Sequence, residues 1–456
     1  MKGFVIFVFK DRELGDKKYS YLLDKEKRRF KFKNKNGDYV ISNDGEKWFI
    51  FYSLGKEKKV DIFSFREALL KVRKIALTLK VNELKVYERN LKKLPFDYRF
   101  EIPFYSSLLN YKFLRKRESK KDEGIVKFKV SKEGKEVKLF NEAVKFVREL
   151  VNAGADEINP DSLEKIAKEE FSSLKLRVYK GKELEKKGFG GILAVGKGGN
   201  YEPRLIRIEY SPENYKKTVA LVGKAVTFDS GGLNVKPYSA MEDMKIDMSG
   251  GAIVFGILKL ANALKLPVKI IGYVPAVENM PGPKSYKQGD IVKIYNGKTV
   301  EIKHTDAEGR LILADALSLA DEEGADLIID YATLTGACIT ALGTKIAAIM
   351  GTDKGSLRKF YEISWKIQEP LWEFPLPEFY EKDVKSDIAD IKNTGYGIGG
   401  GTIKAGLFLK EFIGKRRWLH LDVAGPVYFE KGDFFGIKGA TGFGVRLTIE
   451  FLKEFS

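Results

Sequence analysis

The 456-residue chain is poor in the residues that build the commonest metal and redox sites. It has one cysteine, Cys338, so no intramolecular disulfide can form and nothing points to an oxidising compartment. It has two histidines, His304 and His420, which excludes HExxH and three-histidine zinc sites within one chain. A metal here must be held mainly by oxygen. Glutamine is scarce (Gln288 and Gln368) against heavy lysine and glutamate use, a bias enriched in proteins of very hot organisms. No apolar run reads as the ~20 residues of a bilayer crossing. The run Phe4–Phe9 is too short and too soon followed by charge for a signal peptide, so a cytoplasmic protein is expected.

What is present is globular: 44% hydrophobic and 32% charged residues. The net charge of +18 is unevenly placed. Residues 1–150 carry 39 Lys and Arg against 22 Asp and Glu, whereas the remainder is nearly balanced. Short β-rich runs (Phe4–Phe9, Tyr39–Ser42, Trp48–Tyr52, Glu101–Tyr105, Ile125–Val130) with a helical pattern over Phe65–Leu79 predict a small α/β domain over 1–135. Residues 136–170 read as a connecting helix and linker, with the domain break near residue 155. Residues 171–456 alternate apolar strand-like runs (Ile192–Val195, Thr218–Val222, Val268–Val274, Leu327–Ile329, Ile346–Met350, Leu419–Val423) with helices at Gly251–Leu264, Arg310–Asp321 and Lys404–Phe412. That pattern predicts an α/β fold with a mixed, mainly parallel sheet flanked by helices.

Two segments concentrate polar chemistry. Leu221–Met248 carries Lys224, Asp229, Lys236 and Asp247 around a Gly-rich turn, and His304–Leu313 carries Asp306, Glu308 and Arg310 before a helical run. If the second stretch is extended, Asp306 and Glu308 point to one side. Four carboxylates in one pocket would repel, so compensating cations are implied. Each residue alone has an ordinary explanation. Asp229 suits a turn, Asp306 and Glu308 a helix cap, the lysines a solvated surface and Arg310 a surface ion pair. Tyr396–Gly401 (YGIGGG) reads as a loop, since no GxxxxGK[ST] follows it.

Together the segments say more. Val222–Gly232 (VGKAVTFDSGG), Lys236–Pro237, Met244–Met248 (MKIDM), Glu278–Pro281 (ENMP) and Thr305–Arg310 (TDAEGR) resemble, in order and spacing, the two-metal, hexameric leucyl aminopeptidases. Ala332–Ala337 (ATLTGA), Ser386–Gly395 (SDIADIKNTG), His420–Gly425 (HLDVAG) and Gly439–Gly442 (GATG) extend the resemblance over roughly 150–452. His304 stands where that family usually has Asn, Phe443 and Gly444 replace its usual Arg-Pro, and residues 1–150 show no match.

The resemblance implies that Lys224, Asp229, Asp247 and Glu308 hold a tightly bound metal, and Asp229, Asp306 and Glu308 an exchangeable one. Zn, Mn, Co or Mg would suit such donors. It implies a cytoplasmic enzyme that releases N-terminal, Leu-like residues from peptides with a free N-terminus, by attack of a metal-bridging water. Lys236 would polarise the carbonyl, Arg310 would hold a bicarbonate ion as base, and Met244 and Thr333 would line the side-chain pocket. A homohexamer is also implied. Two competing readings remain at this point: a di-metal phosphoesterase, from the carboxylates alone, and nucleic-acid binding by the basic first domain, with aromatic residues among Lys and Arg from Phe96 to Lys121.

Overall fold

The computed structural model describes residues 2–30, 32–113, 124–395, 397, 399–430 and 437–455. The chain divides into two compact units, residues 1–142 with 431–438, and residues 143–430 with 439–456. The division falls inside the helix Lys135–Asn152, earlier in the chain than the break near residue 155 that the sequence suggests.

The first unit is a five-stranded sheet. Its strands are β1 (Lys2–Val8), β2 (Tyr39–Asn43), β3 (Trp48–Ser53), β4 (Glu83–Val86) and β5 (Lys127–Lys129), in the order β2-β3-β1-β4-β5. Only the β2–β3 pair is antiparallel. The run Glu101–Tyr105, expected as a strand, lies in the helix Tyr98–Asn110, started by Asp97, whose side chain accepts from the Arg99 N–H. It is buried throughout, and a short, fully buried apolar run has no periodicity to separate strand from helix.

The second unit holds a nine-stranded sheet: β6 (Lys175–Lys180), β7 (Arg204–Tyr210), β8 (Thr218–Gly223), β9 (Ala225–Asp229), β10 (Lys269–Asn279), β13 (Leu327–Ala332), β14 (Ala347–Gly351), β15 (Leu371–Glu373) and β17 (Arg417–Asp422). The order is β15-β14-β17-β13-β8-β10-β7-β6, with β9 also on β10. The centre is parallel (β17, β13, β8, β10) and antiparallel pairs flank it, so the sheet is mixed. A separate small sheet joins β11 (Ile291–Lys293), β12 (Thr299–Glu301) and β16 (Ile391–Lys392).

The central strands are buried on both faces, which is why they read as unbroken apolar runs. Ala220, Val222, Ile271 and Tyr273 share one core with the helix Gly309–Glu322. The opposite face takes the helix Ser249–Leu264, which sits so close that a Cβ on Gly272 would lie 2.7 Å from Leu258 Cδ1. That helix ends a stretch, Tyr238–Leu264, with the length and hydropathy of a membrane span, but 78% of its apolar window is buried in the fold. The run Ile192–Val195, also expected as a strand, is the helix Gly190–Gly196, whose Ile192 N–H donates to Asp315 Oδ2 (2.8 Å).

Candidate metal centre

The site forms where the parallel strands end, the usual place for ligands in open α/β sheets. Strand pairing breaks for one residue between β8 and β9. There the Lys224 N–H donates to the Tyr331 carbonyl (3.0 Å) and the Lys224 carbonyl accepts from Gly251 (2.8 Å). The break leaves the lysine side chain buried beneath the start of the helix Gly309–Glu322. A Cβ on Gly309 would lie 2.5 Å from its Cε and 2.8 Å from its Nζ. Lys224 Nζ donates to Asp247 Oδ1 (2.7 Å) and the Thr333 carbonyl (3.0 Å), and pairs with Glu308 Oε1 (2.8 Å).

Asp229 ends β9 beside Asn279 of β10. Asn279 Nδ2 donates to Asp229 Oδ1 (2.8 Å) and to the Thr305 carbonyl (3.0 Å), joining the two motif segments. Thr305 and Asn234 bond each other through backbone and side chain, and Tyr286 donates its hydroxyl to Thr305 O (2.6 Å). The segment carrying Asp306 is a turn into a helix, not the extended strand that the i, i+2 spacing suggests. The carboxylates converge nonetheless: oxygens of Asp229, Asp306 and Glu308 lie within 4.8 Å of one another. Lys236 Nζ pairs with Asp229 Oδ2 (2.9 Å) and with Asp306.

The electrostatics are those of a pocket short of positive charge. Burial, reinforced by Asp229 and Glu308 nearby, pushes Asp247 well above the usual carboxylate range, with Lys224 pulling it back. Glu308 and Asp306 are raised for the same reason, burial first and the Asp229 charge second. Burial favours neutral Lys224 and Lys236, but the surrounding carboxylates outweigh it and hold both above the ordinary lysine range. Among the described residues, Asp247 Oδ2 is buried without a hydrogen-bond partner. Carboxylate oxygens in this density, with one amine among them, fit hard divalent cations.

Arg310 follows Glu308 into the helix. It is buried, its Nη1 donates to the Asn393 carbonyl (2.5 Å), its Nε has no partner among the described residues, and desolvation pulls its pKa down to about 10. It lines a cavity of about 350 Å³ with Ala337, Thr394, Lys404 and the glycines at 395, 397, 399 and 401. Tyr396 and Ile398 of the expected loop lie outside the described residues. Thr333, expected in a side-chain pocket, donates its hydroxyl to Asp247 Oδ1 (2.7 Å). Met244 is half-buried at the start of the turn that carries Asp247. His304 accepts from the Asp306 N–H through Nδ1 (3.2 Å).

Sequence reasoning did not single out Asn279, Thr305, Asn234, Tyr286 or Asn393. Their signal was present, since Asn279 lies in the ENMP run and Asn393 in SDIADIKNTG, but only tertiary contacts give them work.

Residues 145–449 match the profile described as the cytosol aminopeptidase family, catalytic domain. A probable cytosol aminopeptidase of Cenarchaeum symbiosum (strain A) is 48% identical over 326 residues, 70% of this chain and 67% of that protein. One from Geobacter sp. (strain M21) is 48% identical over 68% of this chain and 64% of its own length. The chain thus spans about two thirds of the length of these curated relatives. A solved structure titled bottromycin maturation enzyme BotP in complex with Mn is similar with a TM-score of 0.86 and 31% identity, over 99% of this chain and 98% of that one. Neither the phosphoesterase reading nor the nucleic-acid reading gains support from these likenesses. The carboxylate cluster lies wholly inside the matched catalytic domain, and the chain belongs to the cytosol aminopeptidase family.

Proposed function

We propose that the protein is a metal-dependent aminopeptidase that releases Leu-like residues from peptides with a free N-terminus. The observation that carries this is the convergence of Asp229, Asp306 and Glu308 beside buried Lys224 and half-buried Lys236, inside the family's catalytic domain. Lys224, Asp229, Asp247 and Glu308 would hold one divalent ion, and Asp229, Asp306 and Glu308 a second, with Mn or Zn preferred and Co or Mg able to substitute. When bound, the ions supply Lewis acidity towards the substrate amine and carbonyl and a water of lowered pKa.

The chain's own groups do the rest. Lys224 must give up its proton to serve as a ligand, so its ion pairs with Asp247 and Glu308 have to yield to the metal. Lys236, half-buried and held cationic between Asp229 and Asp306, is placed to hydrogen-bond a carbonyl oxygen as it gains charge. Arg310 offers a planar guanidinium, suited to a bicarbonate ion that would receive the proton of the attacking water. Thr333 orients Asp247 in addition to any contact with substrate, and Met244 would form part of the pocket for the departing residue's side chain. A cytoplasmic homohexamer completes the reading.

A site that required the substrate's free amine would act only at the N-terminus, as an exopeptidase. The test is hydrolysis of leucine anilide beside its N-acetyl derivative and a phosphodiester. Cleavage of the first alone supports the reading; cleavage of the phosphodiester alone contradicts it.

A further inference from the structure

Strand β16 leads straight into Asn393, which is fully buried and whose N–H continues the pairing with β12 by donating to the Glu301 carbonyl (3.0 Å). Its carboxamide is spent entirely on one short segment. Nδ2 donates to the carbonyls of His304 (2.7 Å) and Ala307 (3.3 Å), and Oδ1 accepts from the N–H groups of Lys303 (2.8 Å) and His304 (3.3 Å). Two donors and two acceptor positions are the full capacity of an asparagine side chain. All four bonds go to backbone between 303 and 307, the turn that carries Asp306 and delivers Glu308 to the helix start. The same residue's carbonyl accepts from Arg310 Nη1 (2.5 Å).

Asn234, Asn279 and Tyr286 hold the turn at Thr305, and Asn393 holds the backbone on either side of it, at 303, 304 and 307. Asp306 and Glu308 here face Asp229; Lys236 and Lys224 offset part of the repulsion, and the remainder would spread the carboxylates if the backbone were free. A helix or strand would lock the backbone with its own ladder, but the backbone of 304–307 has just a turn, the Ala307 N–H donating to the His304 carbonyl (3.3 Å). We propose that Asn393 is a positioning residue of the active site: it locks the turn that presents Asp306 and Glu308, and through its carbonyl it sets the guanidinium of Arg310. The effect on turnover rests on the aminopeptidase reading; the effect on metal binding does not.

The requirement is chemical, not steric. Asn393→Asp keeps the shape but turns an oxygen towards the carbonyls of His304 and Ala307, whereas Asn393→Ala removes all four ties. Mn²⁺ binding to chelator-stripped protein is measured by calorimetry, with kcat and KM for leucine anilide and the thermal midpoint recorded on the same preparations. The expected result for both variants is Mn²⁺ affinity weakened by about 10–100-fold for at least one ion, the range found when groups supporting metal ligands are removed. With it go a kcat lowered by about 100-fold and a KM within about threefold of the wild type. Should Asn393→Ala not fold, Asn393→Ser is read in its place. A folded variant with Mn²⁺ affinity and kcat within about twofold of wild type overturns the proposal even if its midpoint falls, because Asn393 then supports only stability. A wild-type protein that binds Mn²⁺ but leaves the anilide intact removes the aminopeptidase reading alone, and the affinity comparison still decides the role of Asn393. A wild type that binds no Mn²⁺ overturns both.

Discussion

Replacing Lys224 by methionine in metal-stripped protein isolates the central electrostatic feature of the fold. Methionine has nearly the same length and leaves no large void, so the loss is chiefly that of the charge. The side chains concerned are at most 5% exposed: Lys224 at 4%, Asp247 at 5% and Glu308 at 2%. Removing one member of a buried ion pair costs about 3–5 kcal/mol, because the partner is left charged and dry. Here two carboxylates are stranded, but their raised pKa values let them take up protons, so the lower end of that range is expected. With a urea slope of about 3 kcal/mol per molar, the unfolding midpoint should fall by about 1 M at pH 8. Tryptophan fluorescence is a suitable probe, since Trp365, Trp372 and Trp418 all lie in the unit that holds the site. The sign of the pH dependence follows from linkage. A carboxyl whose folded pKa is raised loses stability as pH rises above its unfolded pKa, so the penalty in the variant should shrink from pH 8 to pH 5. A midpoint shift below about 0.2 M at pH 8, or a penalty that grows on acidification, refutes the reasoning.

Gly309→Ala would place a methyl group against the buried end of Lys224; it should cost about 1–3 kcal/mol of stability and lower kcat by at least about tenfold, measured by the same unfolding curve and by anilide hydrolysis. Arg310→Lys keeps the charge but loses the planar fork, so kcat/KM should fall by at least about tenfold and the response to added bicarbonate should flatten, read from a bicarbonate titration of rate. Asp315 lies in the core of the same unit, where burial raises its carboxyl from 3.8 to about 7 despite hydrogen bonds from the Ile192 and Tyr295 N–H groups. The folded state therefore holds its proton longer than the unfolded chain, and stability should decline between about pH 4 and pH 7 by up to about 4 kcal/mol. Urea midpoints across that range check the slope, which should be less steep in Asp315→Asn by the share that Asp315 contributes.

The mainly parallel character of the sheet was legible because buried parallel strands leave continuous apolar runs, as at Thr218–Val222 and Leu327–Ile329. The same lack of periodicity misled at Ile192–Val195 and Glu101–Tyr105, where helices are buried on all sides. The charged site residues were legible because Lys224, Asp229, Asp247, Asp306, Glu308 and Arg310 sit in two short segments of distinctive spacing. Their uncharged supports were not. Asn279 is 50 residues from Asp229, and Asn393 is 89 from His304, so nothing local shows that their amides face those groups. Thr333 shows the opposite case, a residue singled out for contact with substrate whose hydroxyl the fold turns on Asp247. The turn at 304–308 explains why the i, i+2 argument reached the right pair of carboxylates by the wrong geometry.

The measurement that bears most directly on the account is a metal titration of chelator-stripped protein in which bound Mn²⁺ and leucine anilide hydrolysis are followed on one sample. The account predicts no hydrolysis without metal, activity that rises with occupancy to two ions per chain, and none of either in a folded variant carrying both Asp229→Asn and Glu308→Gln. Full hydrolysis by metal-free protein, or two ions bound by that double variant as tightly as by the wild type, would contradict it.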